Sequence, residues 1–117
     1  MKRDLDLCRK ILLYVRTNAK MDSALDIKIE NYLTEDISYN LKLLSEAGFL
    51  DLVGDNPHTC LVWGSLTWDG QDFFDAMGND THWNKTKKYI KEKVGSVSFS
   101  VLLTILNEIA KDTLVHN

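Results

Sequence analysis

Apolar residues recur along this chain at two periods, and the periods divide it into helices and short strands. In residues 3–17, Leu5, Cys8, Ile11, Leu12 and Val15 share one face while Lys2, Arg3, Arg9, Lys10 and Arg16 point mainly elsewhere, which predicts an amphipathic helix. Residues 18–23 carry no period and read as a connection. Asp26 to Glu30 alternates polar and apolar, so it predicts a short strand that pairs with a later hairpin. Residues 34–47 return to the helical period: Ile37, Leu41 and Leu44 form the stripe, Thr34 is the expected N-cap, and Gly48 stands where a left-handed residue would end the helix. Two strands follow, 49–53 and 59–63, joined by the turn residues Gly54-Asp55-Asn56-Pro57.

The second half of the chain reads as helical throughout. Thr67 caps residues 68–77, where Trp68, Phe73, Phe74 and Met77 supply apolar bulk, and Gly78-Asn79-Asp80 closes that helix. Residues 81–94 continue from a cap at Asp80 or Thr81 with Trp83, Thr86, Ile90 and Val94 facing inward. Gly95 stops them and Ser98 caps the last helix. There Phe99, Leu102, Leu103, Leu106, Ile109 and Ala110 make a stripe over 99–113 that must pack on the domain's own core or on a second copy of the chain.

An amphipathic helix, an EAGFL stop and a hairpin are how the third helix and wing of a winged-helix domain read in sequence. The expected fold is therefore α+β, a winged-helix-like core over 1–67 with a helical tail over 68–117, forming one domain. The 117 residues, 44% hydrophobic and 26% charged with one proline, suit a single compact core rather than disorder. No apolar run approaches the roughly 20 residues that span a bilayer, and the aspartates of MKRDLDLCRK do not fit a signal peptide, so the expectation is a soluble cytoplasmic protein without a membrane partner. Cys8 and Cys60 read as small buried hydrophobes rather than as a disulfide or a metal pair.

Charge changes the picture more than composition does. Residues 1–21 hold six Lys/Arg against two Asp, a balance of +4; residues 22–80 hold two Lys against twelve acids, −10; residues 81–117 hold six Lys against three acids, +3. The middle block contains the helix and wing that would ordinarily meet DNA. Its exposed set is expected to include Glu35, Asp36, Ser38, Tyr39, Lys42, Ser45 and Glu46, with Asn40 near the boundary. A helix that reads bases needs Arg, Lys, Asn or Gln aimed at the groove. This one offers Asn40 and Lys42 beside three carboxylates, although Glu35 and Asp36 also suit a helix N-terminus on dipole grounds alone. The basic counterpart lies at Lys85, Lys87, Lys88, Lys91 and Lys93, beside Trp83 and Tyr89, and reads either as a solvated face or as a contact with nucleic acid or an acidic partner.

Catalytic and metal signatures are weak. The chain has no nucleophile elbow, no HExxH and no phosphate-cradling glycine loop, so no enzyme, cofactor or catalytic residue is expected. His58-x-Cys60 lacks a second ligand pair, and Asp69, Asp72 and Asp75, spaced three apart on a helix, suit a solvated face better than a cation site.

The segments MKRDLDLCRKIL, EDISYNLKLLSEAGFLD, LTWDGQDFFDAMGNDTHWNK and SVSFSVLLTILNEIAK together resemble a family of small uncharacterised proteins of bacteriophages and prophages. The resemblance covers nearly the whole chain and implies a winged-helix-like fold with a helical tail in a phage context, without an activity, cofactor or catalytic residue. Many relatives carry Tyr-His where this chain has Tyr39-Asn40, so a role for that histidine does not transfer. The expected function is non-catalytic binding of a macromolecular partner. The favoured partner is a host or phage protein, such as a nucleic-acid-handling or defence component. It would be held through Glu35, Asp36, Tyr39, Asn40, Lys42, Glu46 and Asp55. The alternative is a DNA-binding transcriptional regulator that grips duplex phosphates with the five lysines of 85–93 and the wing. A homodimer through 99–113 is compatible with either, and a purely structural role for the last helix is a third reading.

Overall fold

The structure, a computed structural model, describes residues 2–21, 23–54, 60–94 and 97–116, the side chains of 94 and 112–116 excepted. The described chain is mixed α and β: five α-helices, a π-helical turn and a two-stranded antiparallel sheet. It falls into two compact units, Met1–Asp72 and Phe73–Asn117.

In the first unit, α1 (Leu5–Asn18) begins at Asp4, whose carboxylate accepts the Leu7 N–H at 3.0 Å, and buries Leu7, Cys8, Ile11, Leu12 and Val15. Leu7 joins the buried set where the helical period had favoured Leu5, which is half-buried. The helix packs against α2 (Thr34–Glu46), which buries Ile37, Asn40, Leu41 and Leu44. Each fully buried Leu or Ile in this layer contributes roughly 1.5–3 kcal/mol.

α2 starts one residue early. Its N-cap is Leu33, which lacks a side-chain cap bond, because the Leu33 carbonyl accepts from both Asp36 and Ile37; Thr34 is the first helical residue rather than the cap. The other end is as the sequence predicts. Gly48 has φ +83°, its N–H donates to Ser45, and Phe49 N–H donates to Leu44, both at 3.0 Å, closing the helix with a left-handed turn that a Cβ would strain.

The sheet is shorter than its hydrophobic pattern. β1 (Ala24–Asp26) precedes the predicted 26–30 segment and pairs with β2 (Leu61–Trp63) in the register Ala24↔Trp63, Leu25↔Val62, Asp26↔Leu61. Ile27 is buried and its N–H still reaches the Cys60 carbonyl at 2.9 Å, but the chain then leaves the ladder and turns through Asn31 at φ 70°. Residues 49–53 contribute an isolated bridge, Leu52↔Val62, flanked by Val53 N–H to the Leu61 carbonyl and Trp63 N–H to the Asp51 carbonyl, instead of a full strand. β2 therefore has β1 on one side and the 51–53 segment on the other. Two helices, rather than three, precede β2 among the described residues. Asp55, Asn56 and Pro57 of the expected turn, and Thr59 at the start of the expected second strand, lie outside them.

α3 (Trp68–Met77) is capped by Thr67, whose Oγ1 accepts the Gly70 N–H at 3.0 Å and donates to the Gly48 carbonyl. Trp68 does not supply core bulk as its apolarity suggested, since 83% of its surface is exposed; Phe73 and Met77 are buried.

In the second unit, α4 (Asp80–Tyr89) begins at Asn79, whose Oδ1 accepts the His82 N–H at 3.0 Å, one residue before the caps the sequence suggested. The helix then widens into a π-helical turn, Ile90–Val94, where the period predicted an unbroken α-helix. α5 (Phe99–His116) is capped by Ser98 and packs on α4, burying Leu102 and Leu106. The Phe73 and Phe99 rings meet edge to face, centroids 5.4 Å apart at 88°. No helix is long and apolar enough to cross a membrane among the described residues.

Candidate functional site

The solvent face of α2 gathers most of the residues that the sequence singles out. At 100° per residue, positions 35, 39, 42 and 46 fall within an arc of about 60° running about 16 Å along the axis. Glu35, Lys42 and Glu46 are exposed on that arc and Tyr39 is half-buried among them. Asp36 sits to one side, half-buried, with Glu35 in the first helical turn, where the positive end of the helix dipole favours a carboxylate. Leu33, 64% exposed, stands at the head of the same helix. The surface is thus an aromatic ring in a mixed but mainly acidic setting, one cation against three carboxylates.

Asn40 is not part of it. The structure turns this side chain inward, 1% exposed, and uses all of its hydrogen-bonding capacity inside the first unit. Its Oδ1 accepts the Asp4 N–H at 2.8 Å and the Cys8 thiol at 3.5 Å. Its Nδ2 donates to the Asp36 carbonyl at 2.9 Å and the Lys2 carbonyl at 3.4 Å. One amide therefore ties the start of α1 to the middle of α2. The signal was partial: on the helical wheel position 40 lies about 40° beyond position 44, at the border of the apolar arc rather than on the outer face. Asp55, the remaining residue of the predicted partner face, lies outside the described residues.

The lysines form a separate surface on the second unit. Lys85, Lys88, Lys91 and Lys93 are exposed, and Lys87 is half-buried with its Nζ 5.9 Å from the centroid of the buried Trp83 ring. Lys87 and Lys88 occupy the last turn of α4, where the helix dipole favours cations. The first unit holds a similar contact, Lys10 over the Tyr32 ring at 5.2 Å, so this cation of α1 braces the 31–33 turn.

The thiols are unsuited to nucleophilic chemistry. Burial, with the Asp4 carboxylate adding to it and Arg3 opposing, pushes Cys8 up to about 12 from an ordinary 9.0. Burial, with Asp26 second, also raises Cys60, whose Sγ faces the Thr34 carbonyl at 3.8 Å. Among the described residues no three His, Cys, Asp or Glu side chains come together as a metal site. Asp69, Asp72 and Asp75 are each exposed, and His58 lies outside the described residues.

The solvent face of the sheet carries an aromatic residue that the sequence pattern does not single out. Trp63 follows Val62 on β2 and so faces the opposite way; half of its surface is exposed. It lines an open cleft of about 300 Å³ with Met21, Asp51, Gly64 and Ser65.

Residues 2–96 match the family described as hypothetical protein (DUF2513). An uncharacterized protein of Haemophilus influenzae is 32% identical over 117 residues, covering 97% of this chain and 99% of its own length. No solved structure matches the chain.

Proposed function

The chain belongs to the DUF2513 family of hypothetical proteins, and from that premise we propose that it is a non-catalytic, winged-helix-like binding protein of phage or prophage setting whose α2 face docks on a basic surface of another protein. The carrying observation is the inward orientation of Asn40. With that amide committed to Asp4, Asp36, Lys2 and Cys8, the outer arc of α2 keeps Glu35, Tyr39, Lys42 and Glu46: it has no Arg, Asn or Gln, and its one cation, Lys42, shares the arc with two glutamates. Carboxylates on the helix that would enter the groove repel phosphates, whereas a partner built to hold nucleic acid presents the cations that such a face complements. Tyr39 supplies the amphipathic anchor that interface centres favour, inside a charged rim.

A second reading is supported by the exposure of Lys85, Lys88, Lys91 and Lys93: a regulator that holds duplex phosphates through the second unit, with salt-sensitive and weakly specific binding. Charge reversal separates the two. In nuclease-treated host lysate the protein is expected to retain a discrete protein that Glu35→Lys/Glu46→Lys loses. Retention that depends on nucleic acid, and that Lys88→Glu/Lys91→Glu abolishes instead, overturns the α2 reading.

A further inference from the structure

Strand alternation decides what the sheet shows to solvent. Val62, fully buried, points inward between Leu25 and Leu52, so Trp63 and its lateral neighbours Ala24 and Asp51 point outward, as do Leu61 and Asp26. Trp63 is held in place by its N–H to the Asp51 carbonyl at 2.8 Å, which also sets that segment against the indole. Met21, 87% exposed, lines the same cleft, with the buried Gly64 and the exposed Ser65.

The lining selects its occupant by chemistry. An indole and a thioether offer apolar, polarisable surface, while Asp51 offers a carboxylate that carries no ion pair among the described residues. Asp26, on the same outer face, has Lys28 at 4.0 Å, so Asp51 is the carboxylate left to a ligand. An anion meets repulsion there, and a purely apolar group leaves the carboxylate unanswered. A cation on a long apolar stem satisfies every wall: the stem lies along Met21 and Trp63, and the head reaches Asp51. Arginine fits best, because its planar guanidinium stacks on an indole and meets a carboxylate through two N–H donors at once. A cleft of about 300 Å³ lies at the low end of the ligand-cleft range and suits one side chain rather than a cofactor.

We propose that this cleft receives an arginine side chain from the basic protein partner, a second point of attachment beside the α2 face. The inference rests on the protein-binding reading, but its test does not need the partner. The probe is the pentapeptide acetyl-Gly-Gly-Arg-Gly-Gly-amide, titrated into the ¹⁵N-labelled full chain, with a citrulline peptide as the neutral isostere. Saturable shifts are expected at the Trp63 indole N–H and at the amides of Asp51, Gly64 and Ser65. Citrulline, Asp51→Asn and Trp63→Ser are each expected to weaken binding by about two- to fivefold. Glu35→Lys/Glu46→Lys is expected to leave these shifts unchanged, so failure of the α2 reading and failure of this one are told apart. Equal binding of arginine and citrulline peptides, shifts confined to α2, or no saturable shift up to about 20 mM peptide each overturn the proposal.

Discussion

Replacing Asn40 by alanine should loosen the first unit without touching its acidic surface. The side chain accepts the Asp4 N–H at 2.8 Å and donates to the Asp36 carbonyl at 2.9 Å, with longer contacts to the Lys2 carbonyl and the Cys8 thiol. A hydrogen bond of this kind is worth about 1 kcal/mol net, and stranding a buried donor adds to that. Asp4 also caps α1, so its N–H lies at the point from which that helix is built. The expected loss is about 2–3 kcal/mol, which for a chain of this size lowers the thermal midpoint by about 10 °C. Amide exchange gives the sharper assay. Asp4 and Leu7 should exchange about 30–100-fold faster in Asn40→Ala, because each 1.4 kcal/mol is tenfold, while Lys42→Ala on the opposite arc stays within about 0.5 kcal/mol of the parent. If the two variants behave alike, Asn40 is not a tie between the helices, and the argument that α2 has no base-reading amide loses its support.

Three further outcomes follow from the same packing. Gly70→Ala would set a Cβ against the Phe49 carbonyl, which also accepts the Thr67 N–H at 3.1 Å; it should cost about 1–3 kcal/mol by urea unfolding despite alanine's better helix propensity, and a stabilised variant contradicts that contact. Because Cys8 is raised to about 12 in the fold against 9.0 when exposed, its neutral form stabilises fully below pH 9.0 and that contribution fades as pH climbs toward 12; melting from pH 8 to 11 should fall more steeply for the parent than for Cys8→Ala. Trp83→Ala, at a residue 2% exposed, should lose about 3–5 kcal/mol, whereas Trp68→Ser, at one 83% exposed, should melt within about 2 °C of the parent.

Helix existence, the caps at Thr67 and Ser98 and the stop at Gly48 were legible because they depend on local chemistry, whereas the caps of α2 and α4 fall one residue earlier than expected. The period of Ile37, Leu41 and Leu44 gave the buried stripe of α2, and Gly48 gave its stop, a residue able to sit at φ +83°. The sheet was less legible. Alternation at 26–30 reflects burial of Ile27, but hydrogen bonding placed β1 at Ala24–Asp26, since a ladder needs a partner and the partner's register is set far along the chain. Trp68 and Asn40 failed in opposite directions for one reason. Apolarity alone predicts depth for Trp68 and an amide predicts a boundary position for Asn40, whereas position on the wheel and available partners decide both. The outward Trp63 followed from Val62 facing inward, a deduction open to the sequence once the strand was assigned.

The most direct test of the central claim is site-specific photo-crosslinking in living cells. With Tyr39→p-benzoylphenylalanine on the outer arc of α2, irradiation should yield one adduct that survives nuclease and is removed by protease, and the same probe at Lys88 should not. Adducts with nucleic acid at position 39, or adducts only from position 88 that nuclease removes, would contradict the account and place the interaction on the lysine surface instead.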